Sequence, residues 1–286
     1  MVDVAAITVA IISLLASIIT GTLTAYITIY ADKLKDARDT EKLLHKYREP
    51  LLLAAQDLQA RLYNILEQNI LVFLNGNQEC QDTLIIYTAF LFGQYLSWTW
   101  ILRRQAQFNC FATNEKARTI RFIAIVDGIK SVLNTDRFGQ AESPFLLWKD
   151  HQTAIGELMS VRDKDGELYC MGFSEFTRMW KNADVADDKD HESNIQFRKW
   201  FSSVERGIPS LAAARHQENG RAGNRVRRLQ HLLVDLTNEL DPKGLRSDAN
   251  LSGRVHAAPN CPCSKCGWKE PQRGHDVKME PKKELV

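Results

Sequence analysis

VAAITVAIISLLASIITGTLTAYITIYA, residues Val4 to Ala31, holds no charged side chain and is bracketed by Asp3 and Asp32. At about 1.5 Å of rise per residue, a helix of this length crosses a hydrocarbon core of about 30 Å. A secretory signal would show a basic leader, a shorter apolar stretch and a small-residue cleavage site. Here Met1-Val2-Asp3 lacks a basic residue, the run is longer, and Tyr26 and Tyr30 stand where interfacial aromatics anchor a span. Residues 1–31 therefore read as a retained transmembrane helix, with a cleaved signal as the competing reading.

Lysine and arginine are missing before this run, whereas Lys33, Lys35, Arg38, Lys42, Lys46 and Arg48 follow it. The positive-inside bias then puts the amino terminus outside or in a lumen and the bulk of the chain in the cytosol. The cysteines agree: six in 286 residues are too few and too uneven for a disulfide scaffold, which points to a reducing compartment. Within the run, Ser13, Ser17, Gly21 and Ala25 recur every four residues, a small-residue stripe along which a second copy of the helix could approach closely in lipid. The competing reading is that hydroxyls simply bond back to their own helix.

Composition bounds the rest. With 44% hydrophobic and 25% charged residues the chain can bury a sizeable core. Its net charge of +2, from 37 basic against 35 acidic residues, excludes the broad basic footprint of a nucleic-acid binder. The expected partners are the bilayer, the chain itself through its span, and a cytosolic protein that the sequence does not identify.

The fold class expected is mainly α. A transmembrane helix (1–31) runs into a charged stem helix (32–49) stopped by Pro50, followed by a cytosolic helical bundle (50–241) with minor short strands. Leu51, Ala55, Leu58, Leu62 and Ile65 mark one helix face, with Asp57 and Arg61 as a favourable pair on the polar side. Thr83 to Leu102 is uncharged and long enough to span. Gly93 and Gln94 at its middle and basic residues on both flanks instead predict a core helix. Phe122 to Leu133 predicts a further helix, Phe145 to Trp148 a short strand, Lys149 to Met159 a helix, and Asp163 to Gly166 a turn before a second strand over 167–173. Ser174 is expected to cap a helix over 175–181, and Ile195 to Val204 to form one helix ending before Gly207-Ile208-Pro209. Val226 to Leu240 forms the last amphipathic helix. Prolines and charges after Pro242 predict a flexible, cysteine-bearing tail (242–286).

Three thiols and an imidazole in that tail offer a tetrahedral shell for zinc: Cys261, Cys263, Cys266 and His275, with His256 also near in sequence. The C-x-C-x2-C spacing is a single half-site without a second paired knuckle, so a bare tail is the competing reading. Arg215, Arg221, Arg225, Arg227 and Arg228 form a local basic run suited to anionic lipid or to a solvated helix face. Other signals fail on spacing. His191-Glu192 lacks a second histidine at 195, Asp163-Lys164-Asp165-Gly166 places its glycine too early for a calcium loop, and no phosphate-loop or nucleophile-elbow motif occurs.

Tyr47-Arg48-Glu49-Pro50-Leu51-Leu52, DLQARLYNIL over 57–66, Phe92-Gly93-Gln94-Tyr95 and QTAIGELM over 152–159 resemble a family of uncharacterised, amino-terminally membrane-anchored proteins. The resemblance covers roughly the first 160 residues and implies a shared architecture, with no activity, cofactor or catalytic residue attached. The expected role is a binding or scaffolding module on a membrane anchor. Alternatives are a membrane-tethered enzyme, marked by a polar pocket joining His151 or Asp150 to Arg103 or Arg104, and a metal- or redox-responsive tail.

Overall fold

A single helix, α1 (Val4–Leu66), carries both the apolar run and the charged stem, and it continues through Pro50. The computed structural model describes residues 4–105, 116–135, 145–187, 189–214, 223–244, 253–256, 258 and 261–267, and within α1 the side chains of 13–32, 35 and 46 onward. A proline inside a helix removes one hydrogen bond and crowds the preceding turn, at a cost of about 3 kcal/mol. Each buried leucine returns about 1.5–3 kcal/mol. Leu51, Leu52, Leu58 and Leu62, each at most 2% exposed, therefore outweigh the proline, and the expected stop at residue 50 does not occur.

The stretch Ser13–Asp32 is wholly uncovered by the rest of the chain and is long and apolar enough to cross a membrane, a test that a signal sequence near the amino terminus also passes. Its hydroxyls bond to their own helix: Ser17 donates to the Ser13 carbonyl at 2.9 Å and Thr20 to that of Ala16 at 2.8 Å.

A 3-10 turn (Ile70–Asn75) leads into α2 (Gln78–Gln105), the centre of the bundle. Leu84, Ile86, Phe90, Phe92, Tyr95, Leu96 and Ile101 are buried on several of its faces, as the uncharged sequence requires of a core helix. Arg61 turns to α2, donating to the Thr88 hydroxyl and the Thr83 and Leu84 carbonyls and lying over the Tyr87 ring. Tyr47 meets Trp98, with ring centroids 6.3 Å apart, so α1 and α2 run antiparallel.

Helix α3 (Lys116–Asn134) precedes an irregular stretch in which Phe145 and Leu147 are buried and the Leu147 amide donates to the Leu133 carbonyl. The strand expected over 145–148 does not form, since Phe145 takes a positive φ of 62°. Helix α4 (Lys149–Leu158) packs tightly on α2 at Gly156. A Cβ added there would lie 2.9 Å from that of Trp100.

A two-stranded antiparallel hairpin follows, β1 (Ser160–Arg162) with β2 (Leu168–Cys170). Its turn absorbs the acidic residues of the partial calcium motif: Asp163 Oδ1 accepts from the amides of Asp165 and Glu167, and Gly166 takes a φ of +81°.

Helix α5 (Phe173–Asn182) begins one residue before the expected Ser174 cap, with Gly172 at the cap position. The region read as one helix over 195–204 is two, α6 (His191–Trp200) and α7 (Ser202–Ala214), broken at Phe201. Helix α7 carries Gly207-Ile208-Pro209 inside it. Gly207 and Ile208 are buried, so packing again overrides a breaker. Phe90, Phe176, Trp180, Phe197 and Phe201 form an edge-on aromatic cluster joining α2, α5 and the α6–α7 junction. The last helix, α8 (Asn224–Leu240), packs against α1 and α3, and Arg48 Nε donates to the Leu240 carbonyl at 2.6 Å.

Candidate metal centre

Helix α8 is buried almost throughout, and three of its polar residues meet the chain that returns beyond Gly244. Gln230, His231 and Asp235 lie within little more than one turn, and each grips that segment. The Gln230 amide nitrogen donates to the Gly253 carbonyl at 2.8 Å, while its oxygen accepts from the Val255 amide. Gln59 of α1 donates to the same Gly253 carbonyl. Asp235 pairs with Arg254 and accepts from the Ser264 amide and hydroxyl at 2.6 and 2.7 Å. The composition of 242–286 predicts a flexible tail, yet residues 253–256 and 261–267 are pinned onto α8 by these bonds.

The pinned segment brings Cys261, Cys263 and Cys266 to His231, whose Nδ1 lies 3.5, 3.5 and 3.7 Å from the three sulfurs. All four potential ligand atoms lie within 4.8 Å of one another. Zinc bonded at about 2.3 Å to sulfur and 2.0 Å to nitrogen in a tetrahedron sets N···S separations of about 3.5 Å, so this shell has zinc dimensions.

The tautomer follows from the hydrogen bonds. His231 Nε2 sits 2.8 Å from the Val255 carbonyl, which can only accept, so Nε2 carries the proton and the Nδ1 lone pair faces the sulfurs. Burial holds the imidazole below its ordinary pKa, favouring the neutral form that binds metal. Burial likewise pushes the Cys261 and Cys266 thiols up. A divalent cation among them would reverse that preference by stabilising thiolates.

The loop is built for sulfur. Cys266 donates its amide to Cys263 Sγ at 3.3 Å, and Gly267 donates to the Cys263 carbonyl at 2.9 Å while adopting a φ of +71° that a side chain would strain. Cys261 and Cys263 are 1% exposed, and Cys266 is on the surface.

Of the metal set expected from the sequence, Cys261, Cys263 and Cys266 lie together. His275 lies outside the described residues, and His256 is exposed with its amide donating to Glu67. The imidazole beside the cysteines is His231, which sequence spacing missed because it precedes Cys261 by three decades of residues on another element. Its one available signal was a histidine interrupting the apolar stripe Leu229, Leu232, Leu233.

The other candidates disperse. Arg225 is buried, donating to the Leu133 and Thr135 carbonyls, and Arg228 is buried too, so the basic run is not one solvated face. Arg215 and Arg221 lie outside the described residues. Asp184, the first of the acidic residues Asp184, Asp187, Asp188, Asp190 and Glu192, pairs with Arg198 at 2.8 Å. Asp150 accepts from His151, whose ring packs edge-on against Trp200. Neither His151 nor Asp150 lines the cleft that contains Arg103. Ser13, Ser17, Gly21 and Ala25 are exposed on the apolar arm.

Comparisons of the chain with protein-family models, curated proteins and solved structures found no match.

Proposed function

We propose that the protein is a single-pass membrane protein whose cytosolic helical bundle is a binding or scaffolding module closed by a structural zinc ion on His231, Cys261, Cys263 and Cys266. The observation that supports this most is the four-ligand shell with N···S separations of 3.5–3.7 Å. Catalytic zinc keeps a position open for water, whereas three sulfurs and one nitrogen fill a tetrahedron. The ion would lock the returning segment 253–267 onto α8. The bilayer is the first partner, engaged through residues 4–31 with the basic stem on the cytosolic side. Among the described residues His151 bonds to Asp150 and packs on Trp200, apart from the cleft of Arg103, which supports the module over the tethered enzyme.

Purified full-length protein is expected to carry about one zinc per chain by elemental analysis. His231→Ala and the triple Cys261→Ser, Cys263→Ser, Cys266→Ser variant should each lose it. His275→Ala should keep it, which separates this shell from one completed by the distal histidine. Metal-replete protein without zinc would refute the centre. Release of full-length protein from membranes by alkaline carbonate, or a mature amino terminus near residue 32, would refute the anchor. Proximity labelling from the cytosolic domain, compared with a chain lacking residues 1–31, would identify the protein partner.

A further inference from the structure

A cleft of about 480 Å³ lies between α2, α3 and α4, lined by none of the four zinc-shell residues, and neither that shell nor the anchor uses it. Three of its lining side chains are cationic, Arg103, Lys130 and Lys149, against one carboxylate, Asp127. Arg103 Nη2 is 3.1 Å from Asp127 Oδ1, so that carboxylate is engaged. Lys130 and Lys149 make no ion pair among the described residues. Lys130 is half-buried, and its amine is pushed down to about 8, by burial first and by Arg103 second, with Asp127 opposing. Lys130 alone is partly desolvated, while Arg103 and Lys149 are exposed at the rim, so the excess of two positive charges around the half-buried amine is what a bound dianion relieves.

The walls are preformed. Asn134 at the end of α3 accepts the Lys149 amide at 2.9 Å, and buried Gln152 donates to the Lys130 and Leu147 carbonyls at 3.2 and 2.8 Å. Trp100 is held from behind by the close approach of Gly156. The volume falls within the range of small-molecule sites and is too small for a polymer.

We propose that this cleft binds a small phosphate monoester, with the phosphate among Arg103, Lys130 and Lys149 and the organic part against Leu96 and Trp100. A phosphate monoester carries close to two negative charges at neutral pH, matching the local excess, where a carboxylate supplies one. Lipid phosphate offers the same chemistry from a second source. The cleft lies at the stem-facing end of α2, where Tyr47 meets Trp98, and Arg103, five residues on in antiparallel α2, stands about 15 Å along α1 from Asp32 at 1.5 Å per residue. A headgroup at the proposed bilayer surface therefore falls short, and a soluble ester is the occupant.

The test uses the full chain in phosphatidylcholine nanodiscs and phenyl phosphate as probe, with phenol as the neutral counterpart, read by calorimetry. Saturable binding of phenyl phosphate and none of phenol is expected. Lys130→Gln should weaken it about tenfold, the loss of one charge-assisted hydrogen bond. Lys149→Gln, at an exposed position, should weaken it less, and Lys199→Gln elsewhere should leave it unchanged. Asp127→Asn should tighten it several-fold by removing the competing carboxylate, a gain that damage to the fold would not produce. No saturable binding at millimolar probe, or equal affinity in Lys130→Gln and Asp127→Asn, overturns the proposal. Nanodiscs containing phosphatidic acid, a lipid phosphate monoester, should give the same affinity as nanodiscs with matched surface charge from phosphatidylglycerol; loss of binding with phosphatidic acid alone would make a headgroup the occupant and overturn the soluble ester. None of these readouts depends on zinc content, so they fail or succeed separately from the metal centre.

Discussion

Ser13–Asp32 in α1 and the whole of α2 are both helical, and each contains an 18-residue window apolar enough to cross a bilayer, with mean hydropathies of 1.6 and 1.2. None of the first window is buried in the chain, and 72% of the second is. Hydropathy does not separate them; their neighbours do. Around α2, Gly93 admits Met159, Gly156 admits Trp100, and the rings of Phe173 and Phe176 from α5 and of Phe145 pack on Phe90 and Phe92. Around the arm of α1 the hydroxyls turn back to their own carbonyls, and a Cβ added at Gly21 would meet nothing within 4 Å. An apolar helix with partners becomes a core, and one without them requires another solvent.

The largest expected effect breaks the comparison outright. Deleting residues 1–31 should move the protein from the membrane pellet to the supernatant after alkaline carbonate, with helical circular dichroism of the remainder retained. Next, a charge in each helix should act on different quantities. Phe92→Asp buries a carboxylate where exposure is 0% and should cost more than about 4 kcal/mol in urea unfolding, or prevent folding. Ile19→Asp should leave the unfolding midpoint of the domain in place and lower membrane integration, by about 2.5–3.5 kcal/mol on insertion scales. Smaller still, Gly156→Ala forces a methyl against Trp100 and the Leu96 carbonyl and should cost about 1–3 kcal/mol. Gly21→Ala should stay within about 0.5 kcal/mol for the same domain. Equal effects of the two glycine substitutions would mean that the two helices are covered alike.

Much of the helical order was legible because it is local. The stripe from Val226 to Leu240 and the turn at Asp163–Gly166 are patterns within a few residues, and both form where expected. The misreadings share one cause. Pro50, Gly207 and Pro209 are breakers by their own chemistry, and burial on both sides of each overrode them. Phe145 to Trp148 looked like a strand, but the hairpin formed further along, and a strand needs a partner before its propensity counts. Arg225 and Arg228 belonged to a charge run in one dimension and to the interior in three.

The candidate centre divides in the same way. Three cysteines within six residues were visible as soft ligands, since thiol chemistry belongs to residue type and close spacing. The fourth ligand was not, because the chain supplies it from α8, and no spacing rule links a helix-face histidine to a loop that Gln230, Asp235 and Gln59 draw back across it. Apolar length, charge asymmetry and ligand type are properties of neighbouring residues and survive without the fold. Which apolar helix is covered, which histidine meets the sulfurs and which cations share a cleft depend on contacts between distant segments, and those exist only once the bundle has closed.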